Sequence, residues 1–142
     1  MLVFLDANVL CSAAWSTPSR LELFWALAQA GHCTLCTSAF ATDEARRNIN
    51  AKRPESAQKL ESLLSKMKQF PESPAAGIAW ARERGLPEKD APILAAAAQA
   101  GAQLVVTGDK EHFGHLYAQA LGDLRVLPPA AALQWIVGAQ TP

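Results

Sequence analysis

An α/β fold, with a central, mostly parallel sheet covered by helices on both faces, is what this chain predicts. Three observations point there. Apolar runs alternate with segments whose apolar residues recur at helical spacing. The clearest runs, "LVFL" (2–5) and "AQLVVTGD" (102–109), are apolar enough for strands covered on two sides. At 142 residues, 50% hydrophobic and 18% charged, the chain is globular and long enough to bury one core. A single domain over 1–142 is expected, since no repeat, low-complexity tract or linker interrupts it.

The elements follow in order. "LVFL" (2–5) is a short strand. "SRLELFWALAQAG" (19–31) places Leu23, Leu27 and Ala30 on one helical face and closes at Gly31. "CTLCTS" (33–38) is a second strand. "SAFATDEARRNINAK" (38–52) is a helix stopping before Pro54. "ESAQKLESLLSKMKQF" (55–70) carries Leu60, Leu63, Leu64 and Met67 at helical spacing and passes into a short strand. Helices are expected over 74–85, ending at Gly85, and over 89–101, with Pro92 in the first turn and Gly101 after it. After the 102–109 strand come a short helix over 110–121, the strand "LRVL" (124–127) and a last helix over 129–138.

Thirteen basic residues balance thirteen acidic ones, so a nucleic-acid partner would have to be held by a local patch. The N-terminus has no basic signal region, and no apolar stretch approaches the roughly 18 residues of a membrane span. A soluble, cytoplasmic protein without membrane association is expected. "CTLC" (33–36) has redox or zinc spacing. On a strand, however, residues three apart face opposite ways, about 10 Å from each other, and no second pair completes a zinc site. Cys11, Cys33 and Cys36 therefore read as core thiols.

The acids carry the functional signal. Parallel sheets bind ligands outside the carboxyl ends of their strands, and two strands here end in aspartate: Asp6 after "LVFL" and Asp109 after "LVVTG". Asp90 opens the Ala-rich helix, and Glu44 lies early in the helix after the second strand. Each has an ordinary alternative. Asp6 serves equally well as a helix N-cap, Asp90 as a charge favoured by the helix dipole, Glu44 as a solvated helix residue, and "TGDKEHF" as a polar turn. Together they would repel one another unless a cation neutralised them, and hard oxygen ligands suit Mg²⁺ or Mn²⁺.

These motifs resemble those of PIN-domain ribonucleases, a superfamily that includes VapC-type toxins. "FLDANVL" (4–10), "DEARRNI" (43–49), "EKDAPILAAA" (88–97) and "VVTGDKEHF" (105–113) are similar to its four acidic motifs, in order, across residues 2 to about 127. The resemblance implies a Rossmann-like three-layer α/β/α sandwich and a divalent-metal endonuclease acting on RNA. It assigns the acids to Asp6, Glu44, Asp90 and Asp109, as catalytic residues and ligands of Mg²⁺ or Mn²⁺. Asn8 and Thr107 would position a carboxylate, a water or a phosphate. A cognate antitoxin becomes a partner to look for.

Arg46, Arg47, Lys52 and Arg53 form the best local basic cluster for RNA, with a solvated helix face as the plain alternative. His112 and His115 are read as surface groups, because the metal chemistry needs no imidazole. The abundance of Trp15, Leu21, Phe24 and Trp25 near the N-terminus suggests a homodimer contact or an antitoxin groove. Two other functions stay open at this point. One is a PIN-like module that binds RNA or protein without turnover. The other is a haloacid-dehalogenase-type phosphatase, which wants a second acid where Asn8 stands.

Overall fold

The computed structural model describes residues 1–139. β1 (Leu2–Leu5) passes at once into α1 (Ala7–Trp15). A 3-10 turn at Arg20–Glu22 precedes α2 (Leu23–Gln29), then come β2 (Thr34–Ser38) and α3 (Ala39–Lys52). α4 (Ala57–Leu64) leads to β3 (Lys68–Phe70), and α5 (Ala75–Arg82) and α6 (Ala91–Ala100) lead to β4 (Leu104–Val106). The rest holds α7 (Lys110–Phe113), a 3-10 turn at Gly114–Leu116, β5 (Ala120–Leu121), β6 (Leu124–Leu127) and α8 (Pro129–Gly138).

The strands form one sheet in the order β3-β2-β1-β4-β6-β5. Every pairing is parallel except β5 with β6. Strand alternation sorts the apolar residues onto two faces. Val3, Leu5, Leu35, Leu104 and Val106 pack with residues of α1, α2, α4 and α8. Phe4, Cys36, Val105 and Val126 pack on the other face with residues of α5 and α6. Each such side chain, once fully buried, stabilises the fold by roughly 1.5–3 kcal/mol. The result is the expected three-layer α/β/α sandwich. Cys33 and Cys36 fall on opposite faces, and all three cysteines are unpaired.

From β1 the chain winds outward through β2 to β3, then returns to build β4 on the other side of β1. That reversal opens a crevice beyond the carboxyl ends of β1 and β4, where doubly wound folds place their ligands. The register Leu5↔Val106 makes Asp6 and Thr107 neighbours at its floor.

Three sequence expectations need correction. α1 was not anticipated. "ANVLCSAAW" is apolar enough to pass for a strand continuing, yet Asp6 caps it and Val9, Leu10, Ala13 and Ala14 bury one helical face. The segment 110–121 is not one helix: it stops at Phe113, turns tightly, and reaches β5 through Ala118 at φ 64°. Last, Phe24 and Trp25 are core residues, whereas Trp15 and Leu23 are exposed.

Candidate functional site

A cavity of about 440 Å³ occupies the crevice, and Asp6, Glu44, Asp90 and Asp109 all line it. Four segments far apart in sequence deliver these acids: the β1–α1 junction, α3, the start of α6 and the loop after β4. Helical spacing explains much of the remaining lining. Asn8, Cys11, Ser12 and Trp15 fall at i, i+3, i+4 and i+7 on α1, and Glu44, Asn48 and Lys52 at i, i+4 and i+8 on α3. Lys89 completes the rim beside Asp90.

Asp6 is both cap and cavity residue. Its Oδ1 accepts the Ala7 N–H at 2.7 Å, while Oδ2 accepts the Thr107 hydroxyl at 2.9 Å and Asn8 Nδ2 at 3.2 Å. Only 4% of the residue is exposed. Burial is the main reason its pKa rises from 3.8 to about 6, with the charges of Glu44 and Asp90 adding to it; the bonds from Thr107 and Ala7 oppose the rise.

Asn8 and Thr107 hold this corner together. Asn8 Nδ2 also donates to Thr107 Oγ1 at 3.1 Å, and Asn8 Oδ1 accepts the Gly108 N–H at 2.7 Å. Thr107 Oγ1 further accepts the Asp109 N–H at 3.1 Å, and the Thr107 carbonyl accepts the Tyr117 hydroxyl at 2.9 Å. The position where phosphatase chemistry needs an acid is thus filled by an amide that braces two strand ends.

Asp90 stands at the N-cap position of α6, where the helix dipole favours its charge, but makes no side-chain cap bond. Burial raises its pKa above the usual carboxylate range, and the nearby Asp109 charge raises it further, against the pull of His112. Asp109 does cap: its Oδ1 accepts the His112 N–H at 3.2 Å. His112 Nδ1 hydrogen-bonds Asp109 Oδ2 at 2.7 Å and lies 3.0 Å from Asp90 Oδ2. Asp90 Oδ2 is buried and accepts no hydrogen bond.

A buried carboxylate oxygen that accepts no hydrogen bond, beside a second carboxylate and a ring nitrogen at 3.0 Å, is a position that a cation would satisfy. Asp90, Asp109 and His112 each offer a ligand atom, all within 4.8 Å of one another. Asp6 and Glu44 line the cavity with Asp90 and Asp109 but stand outside that close group. The residues present therefore fit a divalent metal. His112 is the member that sequence reasoning left on the surface. Its signal was the three-residue spacing from Asp109, which brings it back over the cap of a short helix.

The basic residues are placed less simply. Arg46 grips Glu61 through two bonds of 2.9 and 2.7 Å and lines a separate depression with Asp43 and Gln69. Arg47 is exposed on α3. Of the cluster read from sequence, Lys52 is the one that lines the acidic cavity.

Solved structures share this architecture. A DNA-bound VapBC from Salmonella typhimurium matches with a TM-score of 0.68 at 17% identity, over 91% of this chain and 99% of that one. A toxin–antitoxin complex from Klebsiella pneumoniae matches at 0.60 and 23% identity, over 89% and 97%. A VapC toxin from Mycobacterium tuberculosis, described as cleaving the sarcin-ricin loop, matches at 0.59 and 14% identity, over 83% and 98%. At these identities the likeness is one of fold. No curated protein matches the chain. Residues 2–111 match the family model described as PIN domain. With more than half of its length covered by that model, and its acids gathered where the fold places its crevice, the chain belongs to the PIN-domain family.

Proposed function

We propose that this protein is a divalent-metal-dependent endoribonuclease that hydrolyses RNA phosphodiester bonds, acting as the toxin of a toxin–antitoxin pair. The observation that carries this is the convergence of Asp6, Glu44, Asp90 and Asp109 on one cavity, where the buried Asp90 Oδ2 accepts no hydrogen bond and has His112 Nδ1 beside it at 3.0 Å. Asp6, Glu44, Asp90 and Asp109 would hold Mg²⁺ or Mn²⁺, with His112 beside the last two. A bound cation of this kind supplies Lewis acidity, an activated water and stabilisation of the leaving oxygen.

The chain's own groups do the positioning. Thr107 and Asn8 fix the Asp6 carboxylate, and the Asp109 backbone is tied to the same hydroxyl. His112 holds the Asp109 carboxylate in orientation. Lys52 and Lys89 offer cations at the rim to draw a phosphate backbone over an acidic floor, with Arg47 available on the outer face of α3.

The toxin role rests on analogy with the Klebsiella complex, in which a toxin is paired with an antitoxin. A cognate antitoxin and a second copy of the chain are the partners to test, with exposed Leu23 (51%) and Val137 (53%) as apolar surface open to them. Incubation of the purified protein with RNA and Mn²⁺, with and without chelator, tests the activity. Metal-dependent cleavage supports it, whereas binding of RNA without cleavage would indicate a non-catalytic PIN module. Co-expression with the product of the adjacent reading frame, followed by light scattering, tests the partners.

A further inference from the structure

We infer that Trp15 is a base-stacking platform at the mouth of the acidic cavity, holding one unpaired nucleobase of a single-stranded RNA. The inference rests on the ribonuclease reading and adds a subsite to it. Trp15 ends α1 on the same helical face as Asn8 and Cys11, so its indole lines the cavity that the four acids floor.

A large aromatic at the end of an otherwise packed helix would ordinarily turn inward, as Trp25 does, with its Nε1–H donating to the Leu63 carbonyl at 3.0 Å. Trp15 instead remains 40% exposed. Its ring is braced: the Arg53 guanidinium lies over it, 5.4 Å from the centroid. The Arg53 Nε is buried and takes no hydrogen-bond partner, so the indole is the surface on which that group rests. Arg53 is not among the residues lining the cavity, which leaves a separate part of the indole facing it.

The charge arrangement selects the occupant. The floor is anionic, but Lys52 lines the same cavity as Trp15, and the next residue, Arg53, lies over the Trp15 ring. A cationic flank for the backbone beside an aromatic platform for the base is the combination that single-stranded nucleic acid requires. An apolar peptide would use the indole but not the flanking lysine. A base stacked there would lead its adjacent phosphate over the carboxylates.

The test uses the full chain and a single-stranded oligoribonucleotide series in which one base at a time is removed to an abasic site. Affinity is read by fluorescence anisotropy in chelator, so that binding is measured without cleavage. For the wild type, one abasic position should cost affinity on the order of ten-fold. Trp15→Leu should lose a similar factor on the intact oligonucleotide and become indifferent to that abasic position, while Trp15→Phe keeps most of both. Melting temperatures confirm that each variant is folded.

If Trp15→Leu binds the intact series as the wild type does, the platform is refuted and the nuclease reading stands. If the wild type binds but never cleaves once metal is added, the nuclease reading fails and the platform stands. A wild type with no measurable RNA affinity refutes both. A Trp15→Leu variant that loses only a co-encoded protein partner shows that the indole serves protein, not RNA.

Discussion

Thr107 donates its hydroxyl to Asp6 Oδ2 at 2.9 Å, joining the residues that directly follow β4 and β1. Thr107 Oγ1 itself accepts Asn8 Nδ2 and the Asp109 N–H, each at 3.1 Å, so its one donor and two acceptor sites are all in use. A fully used buried hydroxyl is costly to remove. Thr107→Val is expected to lower stability by about 1–3 kcal/mol and cleavage by roughly 10- to 100-fold, the range seen when groups that orient metal ligands are lost. Thr107→Ser, which keeps the hydroxyl, should retain most of both. Thermal melts and single-turnover cleavage check this, and a Thr107→Val protein that matches the wild type while Thr107→Ser does not would show that the methyl matters and the hydrogen bonds do not.

Metal-free stability should fall as pH rises through the window set by Asp6. Its pKa is 3.8 in the unfolded reference and about 6 in the fold. Between those values the folded protein holds a proton that the unfolded chain has released. Stability is therefore lost with rising pH, by at most about 1.4 kcal/mol per pH unit from this group. Denaturant unfolding in chelator across that range, for wild type and Asp6→Asn, measures it. The wild type should show a downward component that the variant lacks. No such component would mean that Asp6 is ionised without penalty, and one of the opposite sign that the fold favours its ionised form.

Arg46 and Arg47 should separate in their effects. Arg46 is held by Glu61 on the solvent side, and exposed pairs of this kind contribute at most about 1 kcal/mol. Arg46→Ala should therefore leave RNA affinity nearly unchanged. Arg47→Ala and Lys52→Ala should each weaken binding uniformly across sequences and reduce the salt slope by about 1. Affinities at two or more salt concentrations decide this, and an unchanged slope in both variants would make the α3 cations plain solvated surface.

Much of the architecture was legible because both sheet faces are covered, so "LVFL" and "LVV" could only be buried strands. Asp6 and Asp109 were legible because each follows a strand at the same sheet edge, whereas Asp90 opens a helix and Glu44 lies inside α3. α1 was missed for the reason that made β1 visible: "ANVLCSAAW" continues an apolar run, and only burial on one helical face distinguishes it. The break after Phe113 was hidden because it depends on Ala118 adopting φ 64° to pair with Val126, a tertiary demand without a local signature. The surroundings of His112 and Trp15 were hidden because they depend on neighbours distant in sequence, Asp90 for one and Arg53 for the other.

The charge on Asp6 can be tested apart from its cap. Asn caps a helix about as well as Asp, so Asp6→Asn preserves the Ala7 contact while it removes the negative charge. It also replaces the oxygen that accepts from Thr107 and Asn8 with an amide donor. Without metal the variant should melt at or above the wild-type temperature, since a buried, repelled carboxylate is gone. Mn²⁺ should raise the melting temperature of the wild type by mass action and leave the variant unmoved. The decisive quantity is the RNA cleavage rate of folded Asp6→Asn in Mn²⁺ relative to wild type. Near-complete loss is expected if this carboxylate completes the metal site, and cleavage at close to the wild-type rate would show that Asp6 is a helix cap alone.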